Sequence, residues 1–191
     1  MTDRACLGPI DPQVPNQEGR YVPAQALLLL VNELERLGMS ALAEGREVPW
    51  TAVRLIDSLD KKDLGAAMSA TSYSTTMATE FLKNYKFQNW TVRETSREPV
   101  TDDYRLTRAE EIADALASHD RWKSHGHSIS REVLWNEIQL KIEHPDDDLE
   151  RLIRRFWALW NWAFDKTTIL KAMVSPGFRY LRHFTIVEIK Q

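Results

Sequence analysis

Asp11 lies in the stretch LGPIDPQ, Leu7 to Gln13, flanked by Pro9 and Pro12 and closely preceded by Gly8. The two prolines fix φ and remove amide donors, so the acid is held on a rigid turn. A carboxylate held that way can orient a base or take part in proton transfer, provided that a nucleophile and its partners converge on it. Read from its residues alone, the commonest role of such an aspartate is to cap the turn through an Asx hydrogen bond, and nothing local activates it.

The other candidate groups are sparse. No G-x-S-x-G occurs, so the strained nucleophile elbow of an α/β-hydrolase is absent from the sequence. Ser69, Ser72 and Ser74 fall in a helical pattern and Ser40 at a helix end, positions that suit packing or surface roles. Cys6, with Arg4 upstream, has the makings of an activated thiol, but it reads better as a small buried hydrophobe beside the prolines. His119, His125 and His127 gather around Gly126. A His-x-His pair can bind zinc or nickel, yet no fitting third ligand follows at metal-motif spacing, so a hydrogen-bonded or solvated loop is expected, with no metal and no other cofactor. His144, before Pro145, reads as loop.

Arg151, Arg154 and Arg155 stand among Phe156, Trp157, Trp160 and Trp162. Basic residues interleaved with aromatics suit single-stranded nucleic acid or a membrane surface. The net charge of −3 argues against both, and nucleic acid is not expected as a partner. Trp157, Trp160 and Phe164 fall at i, i+3 and i+7, the spacing of a core stripe, so the tryptophans are expected to pack on the domain or on a partner chain.

These groups belong to a chain of 191 residues, 43% apolar and 28% charged, a globular composition sized for about one domain. A single cysteine excludes an internal disulfide framework and suits a reducing compartment. MTDRACLGPID has no apolar core of a signal peptide. The longest apolar run, near Ala24 to Val31, falls far short of the roughly 20 residues a membrane span needs. A cytoplasmic location without a membrane span is therefore expected.

The elements follow from periodicity. Leu7 to Pro23 reads as loop. Leu27, Leu28, Val31, Leu34 and Leu37 give a helix from Ala24, widened by Leu29 and Leu30 until most sides are expected to be buried, and ended by Gly45 and Pro49. A short helix spans Trp50 to Leu59. Asp60 caps a long one with Leu64, Met68, Met77 and Leu82 turned inward. Phe87 to Asp103 reads as an exposed loop or hinge. Thr107 to Glu110 forms a capping box for a helix to about His119, followed by loop through Ser130. Ser130 caps the next helix. Pro145 and Asp146 to Asp148 open the last one, expected to run to Val174 and to stop at Ser175, Pro176 and Gly177. YLRHFTIVEIK alternates like a strand.

GPIDPQ followed by the P-A-x-x-L start of a helix resembles the serine dehydrogenase proteinase family, a branch of the ClpP/crotonase-like superfamily related to signal peptide peptidase A. Gly8, Pro9, Ile10, Asp11, Pro12 and Gln13 carry the first motif, and Pro23, Ala24 and Leu27 the second. Ala109, Glu110, Ile112, Ala113, Leu116, Ser124, His125, Ile129 and Glu132 match a later A-E-x-I-A-x-x-L helix, Ser/Thr-His turn and helix. The resemblance covers about residues 7 to 142 and implies an α/β fold of ClpP/crotonase-like type. Residues 1–145 would be the C-terminal portion of a protease domain, mostly helical with a few short strands, and residues 146–191 a helical extension ending in a strand. The family's serine lies upstream of the motif with its oxyanion donors, so the expectation is a form truncated at the N-terminus and inactive alone, or one half of a split serine peptidase completed in trans. A third expectation is a helical binding protein that uses the Trp/Arg-rich helix. Asp11 falls near the position of the family's base, and relatives of signal peptide peptidase A use a lysine base, for which Lys61 and Lys62 are available. A homo-oligomer or an upstream protease half would be the partner, and a peptide the substrate.

Overall fold

The computed structural model describes residues 1–16 and 19–183. The chain is mostly helical with a few short strands. It divides into two units, residues 4–142 and residues 1–3 with 143 onward.

In the first unit, β1 (Cys6–Leu7), β2 (Gln13–Pro15) and β3 (Tyr21–Pro23) precede α1 (Ala24–Ala43), α2 (Trp50–Ser58) and α3 (Lys61–Phe81), which ends in a π turn (Leu82–Lys86). Then come α4 (Asp102–Ala117), a single turn α5 (His119–Trp122), β4 (Ile129–Ser130) and α6 (Arg131–Ile138). The ladders of the described residues are antiparallel pairs, β1 with β4 and β2 with β3 in this unit. The segment Leu7–Pro23, expected as loop, thus holds three short strands.

Two faces make the core. Val14 of β2, Ala24 of α1 and Ala67 of α3 are buried together, with Leu27, Leu28 and Ala70 packed on them. Ala67 and Ala70 sit one turn apart and let α1 approach α3 closely. Met68 lies a further step around the helix and is 58% exposed, not inward as its spacing suggested. Helix α1 is likewise buried only at Ala24, Leu34 and Ala41. Leu30 and Leu37 reach solvent, because α1 packs against α3 and α2 and not on all sides. The second face is α4, whose Ala109, Ile112, Ala113 and Leu116 are buried at i, i+3, i+4 and i+7. Arg108 of α4 donates to the Ile138 carbonyl at the end of α6.

Helix starts are set by single side chains. Asp60 accepts from the Lys62 amide and Ser130 from Val133, as their sequences suggested; Asp146, expected only as one of three acids opening its helix, is its cap and accepts from the Leu149 amide. Helix α4 begins earlier than expected. Thr101, not Thr107, is its cap and accepts from the Tyr104 amide, which places Thr107 inside the helix. Residues 87–101 form the expected loop, exposed along most of its length and pinned at Phe87 and Val100, which are buried. Phe87 is buried and stacks on Trp90, Trp90 stacks on Tyr104, and Arg105 donates to the Trp90 carbonyl.

The second unit holds α7 (Asp147–Lys166) and a hairpin of β5 (Ile169–Ser175) and β6 (Phe178–His183). The helix stops eight residues before the expected end at Val174. Thr167 turns extended, and its hydroxyl donates to the Ala163 carbonyl, satisfying one of the last orphan acceptors. The stretch from Thr167 to Val174 contains four β-branched residues, Thr167, Thr168, Ile169 and Val174, which favour strand. Pro176 and Gly177 then turn a hairpin where they were expected to stop a helix. The later part of YLRHFTIVEIK lies outside the described residues.

If Thr101 starts α4, Thr101→Ala lowers stability by about 1 kcal/mol and Thr107→Ala by less than about 0.5 kcal/mol in urea unfolding. Equal losses would return the cap to Thr107.

Candidate active site

The site starts from the two-residue ladder of β1 and β4, where Cys6 pairs with Ser130 and Leu7 with Ile129. Ile129 is fully buried, which anchors the ladder on the core. The chain then leaves β1 through Gly8, Pro9, Ile10, Asp11 and Pro12. The Ile10 amide donates to the Leu116 carbonyl at 2.9 Å, and the Pro12 carbonyl accepts from the Ala24 amide at 2.9 Å. These bonds bracket Asp11, tying its backbone to the end of α4 on one side and to the start of α1 on the other.

The other side of the ladder supplies a histidine. Trp122 is buried and its indole donates to the Ala115 carbonyl at 2.8 Å, fixing the end of α5. Lys123 then takes a left-handed φ of 59° and reverses the chain. Ser124 orders the turn: its carbonyl accepts from the His127 amide at 3.1 Å and its hydroxyl from the Gly126 amide at 3.2 Å. The His127 ring lies tilted against Trp122. His125, between these anchors, stands beside the motif turn: a Cβ on Gly8 would be 4.0 Å from the His125 carbonyl oxygen, an ordinary contact.

The result is an Asp–His pair. Asp11 Oδ2 lies 3.4 Å from His125 Nδ1. The aspartate side chain is 6% exposed and the imidazole 53%. A buried carboxylate facing Nδ1 favours the tautomer with its proton there, and leaves Nε2 as the ring nitrogen that can accept a proton. The separation is longer than a tight charge-assisted bond, and such bonds in unliganded sites commonly tighten when substrate arrives. The turn also holds unused hydrogen-bonding capacity. Asp11 Oδ1 and Gln13 Nε2 are both buried and have no hydrogen-bond partner among the described residues. Among the described residues two further buried side-chain atoms, Thr71 Oγ1 and Asn161 Nδ2, share this state, although buried polar atoms are nearly always satisfied.

The other candidates go elsewhere. His119 opens α5 and His127 packs on Trp122, so the three histidines share no centre, and among the described residues no group of three His, Cys, Asp or Glu is placed to hold a metal ion. Lys61 and Lys62 are exposed in the first turn of α3, and among the described residues neither pairs with Asp11. Cys6 is exposed, not buried as expected, because β1 lies at the surface. Among the described residues no hydroxyl or thiol is hydrogen-bonded to His125. Trp157 is 70% exposed and α7 has no buried residue, so its aromatics are not a core stripe. Arg151 and Arg154 pair with Asp148 and Glu150 of their own helix, which neutralises part of the basic row. No helix among the described residues is long and apolar enough to cross a membrane.

The partnership of Asp11 with His125 was not read from the sequence, although each residue sits in one of the segments singled out there. Compared with family models, curated proteins and solved structures, the chain matches none.

The pairing has a measurable consequence. In a double-mutant cycle of Asp11→Asn and His125→Ala, the two changes are expected to be non-additive by about 0.5–1 kcal/mol in urea unfolding, the low end because the histidine is half in water. Additive losses would mean that the two side chains do not interact.

Proposed function

We propose that this chain carries the acid–base half of a ClpP/crotonase-like serine peptidase resembling the serine dehydrogenase proteinases. Asp11 orients His125, and His125 is the general base that takes the proton of a nucleophilic hydroxyl and returns it to the leaving amine. One observation carries the reading: Asp11 and His125, each in a segment that resembles the family, stand 3.4 Å apart with the carboxylate buried and the imidazole open.

The nucleophile and the oxyanion donors come from another polypeptide segment. His125 holds no hydroxyl or thiol among the described residues, and a base without a nucleophile and oxyanion hole does not cleave peptides. Among the described residues Asp11 Oδ1 on the turn and Gln13 Nε2 at the start of β2 have no hydrogen-bond partner, which suits a segment that docks there and supplies their partners. The substrate class, peptide bonds, comes from the resemblance.

The test uses affinity-tagged full-length chain purified from its own cells together with whatever it binds, and the same chain made alone in a foreign host. The expected result is hydrolysis of a fluorogenic peptide, and a polypeptide labelled by a fluorophosphonate probe, in the first preparation only. Asp11→Asn and His125→Gln should each lower kcat by about 10²–10⁴ without removing the labelled polypeptide. Unchanged hydrolysis in both variants, or no labelled polypeptide, would overturn the reading.

A further inference from the structure

Residues 1–3 and the start of α7 belong to one unit, and a histidine lies between them. His144 Nδ1 stands 2.7 Å from the Pro145 carbonyl oxygen. Its Nε2 stands 3.2 Å from Asp3 Oδ1 and 3.9 Å from Glu150 Oε2. Both ring nitrogens therefore face acceptors, because neither a carbonyl nor an ionised carboxylate has a proton to give. A neutral imidazole carries a single N–H, so it serves one side of the ring and turns a lone pair to the other. With the proton on Nδ1, a bare Nε2 faces two carboxylates. With the proton on Nε2, a bare Nδ1 faces a carbonyl oxygen at hydrogen-bond distance. Only the imidazolium donates on both sides.

We propose that His144 is a proton-operated clasp: it holds residues 1–3 on the start of α7 while its ring is doubly protonated, and releases them when the ring loses a proton. The charges that face the ring are acids from both elements packed against it, Asp3 from the N-terminal segment and Glu150 from the first turn of α7. Glu150 is fixed in place. Its side chain is 15% exposed, and its other oxygen, Oε1, is paired with Arg154, so Oε2 is the one left toward His144. The imidazole is one-third exposed, which lets protons reach it from water. The Met1 amino group donates to the Glu143 carbonyl, a bond that uses no atom of His144. Histidine is the side chain that ordinarily changes charge between about pH 5 and 8. Acid adds the second proton and closes the clasp; alkali removes it and opens the clasp. The clasped segment is the lead into β1, which begins three residues after Asp3. The clasp stands on His144 and is independent of the peptidase reading.

The experiment is backbone ¹⁵N relaxation on the full chain across roughly pH 5.5 to 8.5, a range that brackets an ordinary histidine. It reads Thr2 to Ala5, with the ring nitrogens of His144 followed in the same samples. The expected order parameters are about 0.85 at the acid end and below about 0.6 at the alkaline end. Their midpoint should coincide with the loss of a ring proton by His144. His144→Asn and Asp3→Ala should each leave the segment mobile at both ends of the range, with helical circular dichroism unchanged to show that the fold is kept. A wild-type segment that is equally ordered, or equally mobile, at both ends would overturn the proposal. So would order that persists in His144→Asn at the acid end. A pH dependence that survives His144→Asn would belong to the Met1 amino group, which also titrates in this range, and would overturn it too.

Discussion

Four residues hold the candidate site together. The pairing of Cys6 and Leu7 with Ser130 and Ile129 closes a loop that spans most of the first unit, and two ladder steps give little energy of their own. What sustains the pairing is the buried Ile129 beneath it and the Ile10 amide bonded to the end of α4. Once that closure exists, the motif turn and the His125 turn leave the same ladder from opposite strands and meet a few residues on. The Asp11–His125 contact is therefore a product of closure, not of local sequence.

Burial decides what the pair can do. A carboxylate with 6% of its side chain exposed has lost most of its water, and the described residues return a single imidazole on one oxygen and no hydrogen bond on the other. Such a group is costly unless another partner arrives. The same reasoning applies to Gln13 Nε2 on the next strand. This links the stability of the turn to its proposed role in completing a catalytic centre.

Local features of the fold were legible in the sequence, and non-local ones were not. Asp60 and Ser130 were readable as caps because a cap depends on three neighbouring residues. Thr101 was missed because Thr107 to Glu110 shows the same four-residue signature, and only the packing of Tyr104 and Arg105 against Trp90 draws the helix start back. The end of α7 was misplaced because apolar periodicity continues past Lys166, whereas the β-branched run from Thr167 prefers a hairpin once Pro176 and Gly177 can turn it. Met68 and Trp157 show the limit of apolar spacing: it marks a face, but the partner that covers the face decides which residues are buried. Asp11 and His125 were each singled out, yet their meeting required a two-residue ladder too short to leave a pattern.

The most direct measurement of the central claim is the tautomer of His125 in the full chain, read from the two ring nitrogens in a long-range ¹H–¹⁵N spectrum in alkaline buffer, where an ordinary histidine is neutral. With Asp11 facing Nδ1, the proton is expected on Nδ1, and Asp11→Ala should return the ring to the Nε2–H form that neutral histidine prefers in water. An Nε2–H ring in the unaltered chain, or a ring indifferent to the loss of Asp11, would contradict the pairing on which the proposed chemistry rests.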